Sequence, residues 1–145
     1  MAFSHAQGDW GPMATAQPRL DNHRILVVED ERLVALDLAS ALENLGAKVI
    51  GPARDISGAR ALLERDPGPI SMAILDINLA GELVFPFAEE LRARQTPFLF
   101  ASGYANPTLP DRYASVPIWG KPLDTDAFAQ ALAGMLARKA ARRSL

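Results

Sequence analysis

The chain has 145 residues, 49% of them hydrophobic and 22% charged, with a formal net charge of -2. This is the composition of a soluble globular domain with room for one core, and it removes the electrostatic case for a general nucleic-acid binder. Cysteine is absent, which excludes disulfides, thiolate catalysis and cysteine-ligated zinc.

The two histidines, His5 and His23, stand in or beside the N-terminal stretch, so no histidine-based centre is expected. No apolar run approaches the roughly 20 residues that cross a bilayer. The first ten residues lack the basic start and apolar core of a secretory signal. A cytoplasmic address is the expectation.

Residues 1–22 show no hydrophobic period and contain Gly8, Gly11, Pro12 and Pro18. They read as a flexible tail in which Trp10 is unanchored. A folded domain is expected over 23–141, with 142–145 as a short C-terminal tail and no second domain or output module.

From Arg24 the pattern alternates strand and helix. Ile25-Leu26-Val27-Val28 is a first strand suited to cover on both faces. Val34, Leu38, Leu42 and Leu45 recur at helical spacing over 31–45, and Gly46 stops that helix. Ala47–Ile50 reads as a second strand closed by Gly51-Pro52. Asp55 or Ser57 caps a helix reaching Arg65, which Pro67-Gly68-Pro69 ends. Met72–Leu75 is the third strand, and 84–94 a helix with Pro86 in its first turn. Phe98–Ala101 is the fourth strand. Residues 103–115, with Gly103, Asn106, Pro107 and Pro110, support at most a short helix. Val116–Trp119 is the fifth strand. Asp124 or Thr125 caps a last helix carrying Phe128, Leu132, Met135 and Leu136 on one face. Strands alternating with about five helices imply right-handed βαβ units, hence a flavodoxin-like α/β three-layer sandwich with a parallel five-stranded sheet of order 2-1-3-4-5.

In that order the polar residues that end the apolar runs line one rim: Glu29-Asp30, Asp76, Ser102 and Lys121. Carboxylates packed together stay ionised when a hard cation neutralises them, and magnesium takes such oxygen ligands. Asp30 and Asp76 are the direct candidates, Glu29 acts through water, and the Asn78 backbone carbonyl adds another oxygen. A carboxylate beside magnesium and a lysine attacks phosphorus to give an acyl phosphate, with Lys121 and the Ser102 hydroxyl on the remaining oxygens. Taken singly, each residue has a structural explanation: Asp30 a helix cap, Asp76 a turn, Ser102 a turn hydroxyl, Lys121 a solvated charge. The set of four carries the reading.

These residues resemble the receiver domain of bacterial two-component response regulators over roughly 23–140. Val27-Val28-Glu29-Asp30 is similar to that family's acidic pair, and Leu75-Asp76-Ile77-Asn78 to its phosphoacceptor loop. Ser102 resembles the switch hydroxyl, and Lys121-Pro122 the lysine-proline pair, whose bond is typically cis in the family. Pro97-Phe98-Leu99-Phe100-Ala101-Ser102-Gly103-Tyr104 resembles the PFxFATGY signature of an atypical, often single-domain subgroup served by histidine kinases of the HWE/HisKA2 type. One departure stands out: Ile118 occupies the place of the usual aromatic switch, three residues before Lys121. Trp119 follows, but adjacent strand residues face opposite ways.

The resemblance implies Asp76 as phosphoacceptor, Mg2+ at Glu29, Asp30, Asp76 and Asn78, and Lys121 and Ser102 at the phosphoryl oxygens. Tyr104 is a possible switch or a shield against water. The expected function is that of a single-domain response regulator, phosphorylated by a sensor histidine kinase and signalling to an unknown protein, with no direct DNA binding and no membrane insertion. A phosphate sink or shuttle for a kinase is the alternative. An aspartyl-phosphate phosphatase is disfavoured because Asn78 stands where such enzymes keep a second acid; no turnover enzyme is expected.

Overall fold

A computed structural model describes residues 17–103, 109–121 and 124–143. The elements run β1 (Arg24–Val28), α1 (Arg32–Asn44), β2 (Lys48–Ala53), α2 (Ile56–Arg65), β3 (Met72–Asp76), β4 (Asn78–Leu79), β5 (Glu82–Leu83), α3 (Phe85–Ala93), β6 (Phe98–Ser102), a 3-10 turn (Asp111–Tyr113), β7 (Ile118–Gly120) and α4 (Thr125–Arg143). Five strands pair in parallel in the order β2-β1-β3-β6-β7. This is the expected 2-1-3-4-5 order, because β4 and β5 form a separate two-stranded hairpin.

Alternation along the strands divides the core into two layers. Leu26, Val28, Ala73, Leu75, Phe98 and Phe100 pack with α2 and α3, while Ile25, Val27, Met72, Ile74, Leu99 and Ala101 pack with α1 and α4. A central parallel strand buried on both faces has no polar side, which is why β3 and β6 read as unbroken apolar runs. Polar residues are expelled to the strand ends, and the ends aligned by register become the site.

Local chemistry sets most boundaries. Asp55 caps α2, its Oδ1 accepting from the Gly58 N–H at 2.7 Å, and Asp124 caps α4 by accepting from the Ala127 N–H at 3.0 Å. Ser57 and Thr125, the other candidate caps, lie inside their helices.

The structure corrects several expectations. β2 runs through Gly51-Pro52 to Ala53, with a register shift opposite β1. Proline removes no ladder bond that an edge strand needs on its open side. The last strand is Ile118–Gly120, two residues later than expected, because Val116 is held in a turn by its N–H to the Tyr113 carbonyl at 3.0 Å. Among the described residues there are four α-helices, not five; over 109–115 only the 3-10 turn forms. The folded unit takes in Leu20 from the expected tail: it is fully buried, and its N–H donates to the Leu45 carbonyl at 2.8 Å. At the other end α4 continues to Arg143, past the expected boundary at 141. Trp10 lies outside the described residues.

Candidate functional site

Register brings the polar ends together. Val28 pairs with Leu75, so Glu29 and Asp30 emerge beside Asp76; Asp76 pairs with Ala101, so Ser102 follows one step on; and Ser102 pairs with Gly120, which precedes Lys121. The Lys121 N–H donates to the Ser102 carbonyl at 2.8 Å, fixing the lysine backbone at the head of β6. Asp30, Asp76, Asn78, Ser102 and Lys121 line one cleft of about 400 Å3.

The acids sit close together and out of water. Glu29, Asp76 and Ser102 are buried, with 4%, 7% and 2% of their surface exposed. One carboxylate oxygen each from Glu29, Asp30 and Asp76 lies within 4.8 Å of the other two. Lys121 Nζ reaches Glu29 Oε1 at 2.7 Å, Glu31 Oε1 at 3.1 Å and Asp76 Oδ2 at 3.3 Å. Burial, the neighbouring Glu29 charge and a hydrogen bond to Asp30 push the Asp76 carboxyl up to about 7, against the pull of Lys121. Burial alone would depress the Lys121 ammonium, but the Glu29, Asp76 and Glu31 carboxylates outweigh it and hold the amine above its ordinary range.

The donor set fits a hard divalent cation. Three anionic oxygens within coordination reach suit magnesium or a similar ion, and a cation would relieve the repulsion that raises Asp76. The Glu29 carboxylate has partners on both oxygens: its Oε1 meets Lys121 at 2.7 Å and its Oε2 accepts the Glu31 N–H at 2.9 Å. Glu29 therefore stands in the structure as the buried counterion of the lysine. Asn78 lines the cleft at the start of the hairpin, and its side-chain Oδ1 accepts the Gly81 N–H at 2.7 Å. Gly81 takes a φ of +97°, which glycine adopts without strain.

Ile118, in the place of an aromatic switch, is 39% exposed. Trp119 points the other way and meets the Phe128 ring edge-on at 5.1 Å between centroids, as strand alternation requires. Tyr104 and Pro122 lie outside the described residues, and with them the shielding role and the Lys121-Pro122 bond geometry. Glu31 was missed in the sequence: it reads as a first helical residue, and only the tertiary fold shows its carboxylate turning back to Lys121.

No family model matches the chain. The solution structure of SdrG from Sphingomonas melonis Fr1 is similar to it at 42% identity, with a TM-score of 0.65, over 79% of this chain and 96% of SdrG. The BeF3-activated conformation of SdrG matches at 39% identity and a TM-score of 0.64, over 78% and 95% of the two chains. The receiver domain of the hybrid histidine kinase CckA matches at 29% identity and a TM-score of 0.63, over 78% of this chain and 98% of that domain. Among curated proteins, the phyllosphere-induced regulator PhyR of Methylorubrum extorquens is 34% identical over 82 residues, 55% of this chain. The chain spans 30% of that relative's length. With the parallel sheet and the aligned acid, hydroxyl and lysine ends, these likenesses carry one conclusion: the chain belongs to the response-regulator receiver domains.

Proposed function

We propose that Asp76 accepts a phosphoryl group from the phosphohistidine of a sensor kinase, and that the modified domain signals by binding another protein. The observation that carries this reading is the placement of the Asp76 carboxylate 3.3 Å from the Lys121 amine and beside two further acids, in a cleft open to a donor.

An Asp76 oxygen attacks phosphorus, the bond from phosphorus to the donor nitrogen breaks, and an acyl phosphate remains. Asp30 and Asp76, with Glu29 behind them, would hold magnesium, whose charge would neutralise phosphoryl oxygens as they approach the acids. Lys121 takes a second oxygen and the Ser102 hydroxyl a third. Hydrolysis of the acyl phosphate resets the domain. We assign no turnover chemistry on an external substrate, since Asn78 supplies no second acid where a phosphatase of this type would need one.

The output surface proposed is the segment 103–115 with β7 and the adjoining face of α4. Phosphorylation reaches it through Ser102 at the end of β6, without the usual aromatic partner, because Ile118 fills that place. The solved SdrG chain is matched over 96% of its length, and a single-domain regulator is the form proposed. The kinase class proposed is HWE/HisKA2, on the likeness of Pro97–Tyr104 to the subgroup signature. Among the described residues no helix is long and apolar enough to cross a membrane, in keeping with action in the cytoplasm.

Incubation with acetyl phosphate and magnesium, followed by intact mass measurement, tests the reading. A single phosphoryl adduct should appear on the wild type, require magnesium, and vanish in Asp76→Asn. An adduct of equal yield in Asp76→Asn, or none on the wild type, overturns it. Draining of a phosphorylated kinase with no phosphorylation-dependent binding partner would favour the sink or shuttle instead.

A further inference from the structure

Glu31 belongs to no part of the acid, hydroxyl and lysine set, yet it holds the lysine. It is the N-cap residue just before α1, with φ -83° and ψ 110°, and its side chain makes no capping hydrogen bond. Its carboxylate turns to Lys121 Nζ at 3.1 Å instead. Its N–H is pinned by Glu29 Oε2 at 2.9 Å, which fixes the direction from which the side chain departs.

A protonated lysine amine has three N–H donors and no acceptor. In the structure Lys121 faces three carboxylates: Glu29, Glu31 and Asp76. An acyl phosphate carries its free oxygens on phosphorus, beyond the Asp76 oxygen that Lys121 now faces, so the amine must turn outward to reach one and a resting partner gives way. Glu29 is the wrong candidate: its side chain is 3% exposed and its Oε2 is also held by the Glu31 N–H at 2.9 Å, so it has no room to turn away from the amine. Asp76 is the residue being modified. Glu31, 62% exposed, can turn to water at little cost.

We propose that Glu31 is a positioning residue that holds Lys121 in its resting orientation and is exchanged for a phosphoryl oxygen when Asp76 is modified. It therefore sets the threshold for activation. The inference rests on the reading of Asp76 as phosphoacceptor. Because Glu31 favours only the resting arrangement, linkage requires that its removal tighten binding of any phosphoryl mimic that recruits Lys121.

The test is a titration of the full chain with beryllofluoride at saturating magnesium, followed by the amide NMR signal of Ser102, for wild type, Glu31→Gln and Glu31→Asp. Aspartate keeps the charge but is one methylene too short to reach the amine, and it is the better helix cap. Both variants should lower the half-saturating concentration by about two- to fivefold, the size of an exposed ion pair. A shift in Glu31→Gln alone would assign the effect to general charge and overturn the tether. Unchanged or weakened binding in both variants would also overturn it. If the wild type binds beryllofluoride and the variants match it, only the tether fails; if the wild type does not bind, the phosphoacceptor reading fails with it.

Discussion

Lys121 Nζ lies 3.3 Å from Asp76 Oδ2, although 45 positions of chain separate the two residues. The contact depends on two strand registers in sequence, from β3 to β6 and from β6 to β7, and a third, between β1 and β3, sets Glu29 and Asp30 beside it. It places one positive charge among acids that would otherwise repel each other in a buried site. The amine is thus the structural counterion of Glu29, Glu31 and Asp76.

Lys121→Ala should expose that balance. With Glu29 3% and Asp76 8% exposed at the side chain, loss of the amine leaves buried acids unpaired. In metal-free protein at pH 8 the variant should lose about 3 kcal/mol of stability in urea unfolding. Saturating magnesium should recover at least about 1 kcal/mol of that loss, because a cation replaces the missing charge. Equal losses with and without magnesium would show that the acids do not depend on a shared cation.

Asp76→Asn has a pH-dependent signature. The ordinary value of this carboxyl is 3.8, and burial with Glu29 and Asp30 alongside raises it to about 7. In metal-free solution the unfolded chain releases this proton near pH 4, while the folded chain keeps it until about pH 7. The folded state therefore binds more protons across that window, and stability falls as pH rises through it. Asparagine carries no such penalty, so the variant should be more stable than wild type by about 2 kcal/mol at pH 8 and nearly equal to it at pH 4. Urea midpoints measured across this range decide the matter: a constant difference would remove the assigned cause.

Tyr113 anchors the segment that leads into β7. It is fully buried, stacks on Phe85 at 5.2 Å and meets Phe100 edge-on at 5.5 Å between centroids. Its hydroxyl donates to Glu89, and the Arg92 and Arg112 guanidinium carbons lie 4.9 and 4.7 Å from the ring centre. Tyr113→Phe should cost about 1.5 kcal/mol, the size of one hydrogen bond to a charged group. Tyr113→Ala should cost about 4 kcal/mol by opening a cavity. Urea unfolding measures both, and a cost below about 1 kcal/mol for the alanine variant would contradict the anchoring.

The strands that build the site could be read from the chain because their residues leave little choice. Met72–Leu75 and Phe98–Ala101 are apolar at every position, so the first polar residue after each marks the rim of the sheet. Other features depend on contacts that have no local signature. Leu20 is a lone apolar residue whose role comes from the Leu45 carbonyl and the core beneath α1. The β4–β5 hairpin is two residues on each side, too short for any period, and turns on Ala80 and Gly81 at positive φ. Gly51-Pro52 looked like the end of β2, but an edge strand tolerates the missing N–H. Glu31 looked like the start of a helix, and its partner stands 90 residues away.

Borohydride reduction addresses the central claim most directly, since it converts an aspartyl phosphate into homoserine at the modified position and leaves ordinary carboxylates intact. Protein treated with acetyl phosphate and magnesium, reduced and then sequenced by peptide mass spectrometry, should carry homoserine at position 76 and at no other aspartate. Reduction at Asp30 instead, or unmodified peptide spanning Met72–Leu79 in protein that has taken up phosphate, would contradict the account.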